Sequence, residues 1–346
     1  MYNKIKNKVE GELAGFAKEM ENLYSLASIS SLLSKNIKDF ILRGGKRVRP
    51  VLFIMGYLGF NEKPAPGLYR SALSIELLHD FMLIHDDIID KSDTRRGKPS
   101  MHRLFKDQLH DNKSLKFSGE DLAIVTGDVL YAMALHVFLS VREEPARKEA
   151  ALKKIIKAAL YTGSGEFLEL INGLKNLDKL TREDIYKVYD LKTANYTFAS
   201  PLSAGATLGG ATNEEASLIY KYGIYLGRAF QIKDDILGLF EDEKKTGKSS
   251  LADIKEAKKT ILIWNAYKNS GRQEKRIIEK ILGKRNAGRA DLLKIRKIVK
   301  DSGALDYAKS QIRELLGSAR SVIKTSAIRP RYKDFLINYS EKVLRS

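Results

Sequence analysis

The chain has 346 residues, 43% of them hydrophobic, with 61 Lys and Arg against 43 Asp and Glu, a formal charge of +18 and no cysteine. This composition excludes disulfides, thiolate metal centres and cysteine nucleophiles. The basic residues are dispersed among acids, as in EDEKKTGKSSLADIKEAKK, and no Arg-rich arm, Cys/His finger or aromatic–basic motif accompanies them. The excess therefore reads as a solvated surface, and nucleic acid is not expected as a partner.

Taken in chain order, MYNKIKNKVEGELAGF has no apolar core of signal-peptide length. No unbroken apolar run approaches the ~20 residues of a membrane span, so a soluble cytoplasmic protein without stable membrane insertion is expected. A basic turn follows at Gly44-Gly45-Lys46-Arg47-Val48-Arg49-Pro50, with Pro50 suited to the first turn of the apolar helix behind it. Its Lys46 and Arg49 can converge on one anion, Arg as a planar donor fork and Lys as a mobile point charge. It is not the G-x-x-x-x-G-K-[ST] phosphate loop, so nucleotide binding does not follow.

Residues 68–90 contain no Gly or Pro and are too long for a strand. They end in Ile84-His85-Asp86-Asp87-Ile88-Ile89-Asp90, followed by a second basic loop, Thr94-Arg95-Arg96-Gly97-Lys98-Pro99. Residues 147–162, 214–240 and 275–318 also read as helix, although Gly223, Gly227, Gly283, Gly288 and Gly303 interrupt the later two. Alternating strand blocks and Asn-Gly hairpin punctuation are missing, which predicts an all-α fold. No Ser/Gly linker or composition break divides the chain, so it reads as one domain over 1–346.

The second helical window carries Ile232-Lys233-Asp234-Asp235-Ile236-Leu237-Gly238, repeating the string Ile-x-Asp-Asp-Ile. Residues four apart share a helix face, so Asp86 and Asp90 point the same way, with Asp87 beside them. Like charges this close repel, and burying them costs several kcal/mol unless cations compensate. Hard divalent cations are the natural compensation, magnesium above all, since it takes a few carboxylates plus substrate phosphate oxygens. Alternate-position calcium loops do not fit the spacing.

GGKRVRP, HDFMLIHDDIID, TRRGKP, LKTANYTFASPL, GRAFQIKDDILGLFEDEKKTGK and ADIKEAKKT occur in the order seen in trans-isoprenyl diphosphate synthases, and the chain resembles that family, most of all its archaeal-type geranylgeranyl and farnesyl members. The resemblance covers about residues 30–265, leaving 266–346 as C-terminal helices without a nameable motif. It implies a homodimer of helical bundles, each around a deep central cavity. It also implies Mg2+-dependent condensation of isopentenyl diphosphate with allylic diphosphates, using up to three ions per site. By position, Lys46, Arg49, His79 and Arg96 would bind isopentenyl diphosphate. Asp86, Asp90 and Asp234 would carry the metal, supported by Asp87 and Asp235. Arg95, Lys192, Lys248 and Lys258 would hold the allylic diphosphate, and Thr193 and Gln231 would face the developing cation. Phe81, with Met82 and Leu78, would limit the product to twenty carbons, with fifteen next. Three departures stand out: Gly238 where many relatives have Asp, Glu166 and Glu169 where Gln and Asp are common, and the segment after residue 265, which matches no family motif. Two rival readings remain, a class I terpene cyclase and a non-catalytic regulatory subunit. The basic turn and the paired arginines oppose the first, and retention of both aspartate clusters opposes the second.

Overall fold

Apolar side chains three and four apart (Ile5, Val9, Leu13, Phe16, Met20) give helix α1 (Tyr2–Tyr24) a single buried face. The structure, a computed structural model, describes residues 1–109, 116–241 and 250–345. It is all-α, and the chain divides into two compact units: residues 1–152 with 208–210, and residues 153–207 with 211–346.

In the first unit, α2 (Leu26–Ile29) and α3 (Ser31–Ile41) lead to the basic turn and then to α4 (Val48–Phe60), which is buried on every side from Pro50 to Gly59. A helix apolar all round belongs in an interior, and α4 packs on α1 and on α5 (Leu68–Ile89). Helices α6 (Met101–Gln108) and α7 (Gly119–Phe138) complete the unit, α7 lying along α5. By length and composition α7 is apolar enough to cross a membrane. It nevertheless packs on both α5 and α6 and starts on a capping box between Ser118 and Asp121. The expected loop at TRRGKP is a two-residue antiparallel ladder, Thr94 opposite Pro99 and Arg95 opposite Lys98. Its central residues Arg96 (φ 55°) and Gly97 (φ 73°) both have the positive φ that a type I′ turn requires.

Helix α8 (Pro145–Leu174) leads into the second unit. There α9 (Arg182–Tyr189), a ten-residue π-helix (Asp190–Ala199) and α10 (Ser200–Leu208) run on without a break. Pro201 has no N–H to give the carbonyl four residues back, and its ring excludes that carbonyl, which favours a widened turn over a regular one. Helix α11 (Asn213–Phe240) opens on a Thr212–Glu215 capping box and packs along the π-helix. Gly223 and Gly227, one turn apart, make this approach possible: a Cβ on either would lie 2.4 Å from the Cα of Ala199 or Ala194 respectively. After α12 (Ala252–Lys255) and α13 (Ile261–Asn269), the expected helix over 275–318 is divided among α14 (Arg272–Ile281), α15 (Arg289–Asp301) and α16 (Ala304–Thr325). Gly283 (φ 83°) and Gly303 (φ 76°) adopt the left-handed backbone at these breaks. Helix α17 (Pro330–Arg345) packs on α16.

The close approach of α11 to the π-helix yields a paired expectation. Gly227→Ala should destabilise the protein by about 1–3 kcal/mol through overpacking. Gly317→Ala, at an exposed α16 position with nothing within 4 Å, should stabilise it by roughly 0.5–1 kcal/mol. Denaturant midpoints of the two variants check both signs.

Candidate active site

In the first unit, the 100° rotation per helical residue separates the aspartates at the end of α5. Asp87 turns inward and is fully buried, accepting from Arg95 Nε at 2.8 Å and from Arg95 Nη2. Burial holds its carboxyl above the ordinary range although Arg95 pulls the other way. Asp86 and Asp90, one turn apart, stay half-buried, and Arg95 Nη2 reaches Asp86 Oδ2 at 3.4 Å. This pair offers only carboxylate oxygens on one helix face, a donor set that fits Mg2+.

The basic turn lies beside α5. Lys46 is exposed and Arg49 half-buried. Arg96 packs against the turn, its Cζ 3.5 Å from where a Cβ on Gly45 would stand. The Arg96 guanidinium donates to the Arg43 carbonyl at 3.2 Å and lies 3.7 Å from Glu76 and 3.8 Å from Asp80. His79 is held well below the ordinary histidine range, first by burial and then by the charges of Arg49, Arg96, Arg95 and Arg47. Its imidazole is therefore neutral at pH 7 and can bond an anion without adding to the crowd of cations. Arg49, His79 and Arg96 thus belong to one neighbourhood, and Lys46 lies in the turn next to Gly45. Further back on α5, Leu78 is core, while Phe81 and Met82 are half-buried. The Phe81 ring is gripped by His85 (centroids 4.6 Å) and Tyr131 (5.3 Å).

In the second unit, α11 repeats the division of labour. Asp234 is exposed and Asp235 buried. The Asp235 carboxylate accepts from Gln231 Nε2 at 2.9 Å and from the Tyr189 hydroxyl, and Tyr189 in turn accepts from the Ile261 N–H at 2.9 Å. Burial, then Asp253, pushes the Asp235 carboxyl well above its usual range. Thr193 donates to Gln231 Oε1 at 2.7 Å, so the π-helix and α11 form one hydrogen-bonded chain from Thr193 through Gln231 and Asp235 to Tyr189. Lys192, also on the π-helix, places Nζ 2.5 Å from both Glu166 and Glu169, a turn apart on α8. Gly165 makes this fit possible, because a Cβ would lie 2.8 Å from the Lys192 nitrogen. Lys258 lies 2.7 Å from Glu256 and 3.5 Å from Asp253. Lys248 falls outside the described residues. A cavity of about 390 Å³ lined by Arg182, Tyr186, Asp190, Arg228 and Glu314 contains none of these residues.

Sequence reasoning missed Glu76, Asp80, Tyr189 and Asp253. The last stands inside ADIKEAKKT, where only Lys258 drew notice. Glu76 and Asp80 were visible as acids inside an apolar helix, a signal that they are paired.

Residues 30–299 match the polyprenyl synthetase family. A short chain isoprenyl diphosphate synthase of Methanocaldococcus jannaschii is 31% identical over 305 residues, covering 88% of this chain and 84% of that protein. A geranylfarnesyl diphosphate synthase of Aeropyrum pernix is 35% identical over 288 residues, covering 82% and 84%. Among solved structures, a geranylgeranyl pyrophosphate synthase from Corynebacterium glutamicum, complexed with isoprenyl diphosphate and magnesium, superposes with a TM-score of 0.87 at 26% identity, covering 99% of both chains.

The depressed pKa of His79 has a measurable sign. Below about pH 6.5 the unfolded chain takes up a proton that the folded chain refuses, so stability falls as pH drops, by up to about 1.4 kcal/mol per pH unit. Thermal unfolding from pH 7.5 to 5.5 should show a shallower loss for His79→Gln than for the unaltered protein. Asp80, which titrates in the opposite sense, is common to both and cancels in the comparison.

Proposed function

The chain belongs to the polyprenyl synthetase family, and from that premise we propose that this prenyltransferase joins isopentenyl diphosphate head-to-tail to allylic diphosphates, with geranylgeranyl diphosphate as its main product. The observation that carries the reading is the shared arrangement of the two Ile-x-Asp-Asp-Ile segments: in each, one aspartate is left toward solvent while its neighbour is fixed inside by a dedicated donor. Asp86, Asp90 and Asp234 are the proposed Mg2+ ligands. Bound magnesium supplies charge neutralisation to the allylic diphosphate as its C–O bond breaks. Asp87 and Asp235 orient the groups around them.

Arg95, Lys192 and Lys258 take the departing allylic diphosphate, exchanging their present carboxylate partners for phosphate oxygens. Lys46, Arg49, His79 and Arg96 fix isopentenyl diphosphate so that its double bond points at the allylic carbon. The C–O electron pair leaves with diphosphate, the isopentenyl π-electrons form the new C–C bond, and a proton passes to the released diphosphate. Because Thr193 donates its proton to Gln231, its oxygen lone pairs stay available to the developing cation. Phe81, braced by His85 and Tyr131, closes the space for the growing tail.

The same chain is proposed to work as a homodimer. Ile156, Leu160, Phe167, Leu170, Ile171 and Leu174 are all exposed, Leu174 by 83%, and fall within one stripe of α8.

Incubation of purified protein with Mg2+, isopentenyl diphosphate and each allylic starter, followed by product sizing, tests the reaction. Condensation needs isopentenyl diphosphate, whereas a cyclase would release hydrocarbon from the allylic substrate alone. Asp86→Ala should lower kcat by at least about 10²–10³, as expected when one electrostatic contact to the leaving group is removed. Near-normal turnover would reject the metal assignment. Phe81→Ala should lengthen the product, and an unchanged chromatogram would remove Phe81 as the floor.

A further inference from the structure

The family match begins at residue 30, so α1 lies outside it. Yet α1 is bonded to the basic turn at two points. The Tyr2 hydroxyl donates to the Lys46 carbonyl, and Glu10 Oε1 accepts from Arg47 Nε at 3.0 Å. Arg47 itself cannot meet a substrate. Its side chain is wholly buried, and each of its nitrogens donates within the protein: Nε to Glu10, Nη1 to Glu76 at 2.5 Å, and Nη2 to the Arg43 carbonyl at 2.7 Å. It holds a left-handed backbone (φ 52°), as does Arg96 (φ 55°), a conformation that the surrounding bonds must enforce in a residue with a Cβ.

Arg47 and Arg96 also share acceptors. The Arg43 carbonyl takes a bond from each, and Glu76 Oε1 lies 2.5 Å from Arg47 and 3.7 Å from Arg96. Glu76 can divide its charge in this way because Glu10 neutralises Arg47 from the other side. Without Glu10, Arg47 would draw on Glu76 alone, and Arg96 would be left facing Asp80. That carboxyl is fully buried, has no hydrogen-bond donor, and is pushed well above the usual carboxylate range first by burial and then by Glu76.

We propose that α1 is a working part of the isopentenyl diphosphate site, Glu10 acting through Arg47 and Glu76 to hold the Arg96 guanidinium in its binding position. Glu10, Arg47 and Glu76 are positioning residues. The inference rests on the reading of Arg96 as a ligand of isopentenyl diphosphate.

Steady-state kinetics of the full chain separate the possibilities. Glu10→Gln should raise KM for isopentenyl diphosphate about five- to tenfold, the loss of one charge-assisted bond's influence, with kcat and the allylic KM changed less than twofold. Glu19→Gln removes a different α1 ion pair, to Arg70 at 2.8 Å, and should leave the isopentenyl KM unchanged. An unchanged isopentenyl KM in Glu10→Gln, or an equal rise in Glu19→Gln, overturns the proposal, the latter by reducing the effect to loosened docking of α1. Arg96→Ala is the control on the underlying reading. If it leaves the isopentenyl KM unaltered, that reading fails; if it raises KM while Glu10→Gln does not, only the α1 proposal fails.

Discussion

Adjacent aspartates in an apolar helix are a problem that the sequence creates and the fold must solve. Two carboxylates in sequence cannot both be buried as anions without donors, and cannot both face one metal, because successive side chains diverge by 100°. The fold sends one of each pair inward and gives it specific partners. Asp87 receives the Arg95 fork, and Asp235 receives Gln231 and Tyr189. Only then are Asp86 and Asp234 left as outward carboxylates at fixed positions. The inner aspartates are costly, and their raised pKa values reflect it. What they contribute is orientation, since each anchors a residue that the proposed chemistry uses.

The cations proposed to hold the allylic diphosphate obey a related constraint. Lys192 lies between Glu166 and Glu169, Arg95 against Asp86 and Asp87, and Lys258 against Asp253 and Glu256. Each of these cations is held by carboxylates of its own unit. In the proposed reaction these carboxylates would hold the cations in place until a diphosphate with its own metal ions takes over both roles. The substitution of Glu for shorter or neutral residues at 166 and 169 fits this view. Two long carboxylates can meet one Nζ from successive turns of α8, which side chains one methylene shorter reach less readily.

Much of this was legible in residue order. The helical windows 68–90 and 214–240 match α5 and α11 to within one residue at each end. The breaks at Gly283 and Gly303 were visible as glycines but not as helix ends, since only the backbone angle distinguishes a tolerated glycine from a left-handed one. The π-helix was illegible, for no short pattern separates it from the α-helices on either side. At the site, repeated motifs pointed to the outward groups. The inward groups, Arg47, Glu76 and Asp80 in the first unit and Tyr189 in the second, have partners as far as 72 positions away and no local signature.

Gly238 shows how a departure from a motif can be answered in space. An Asp at this position would extend the second cluster by another carboxylate on the same turn. In the fold, however, a Cβ at 238 would stand 3.1 Å from Asp253 Oδ2, so the position is already faced by a carboxylate from another segment. An aspartate there would press two anions together beside Asp235, whose ionisation Asp253 already opposes. Glycine at 238 and aspartate at 253 are therefore a matched pair. A side chain from α12 comes close to α11 at this glycine, and the loss of one carboxylate from the motif does not leave that part of the second unit without one.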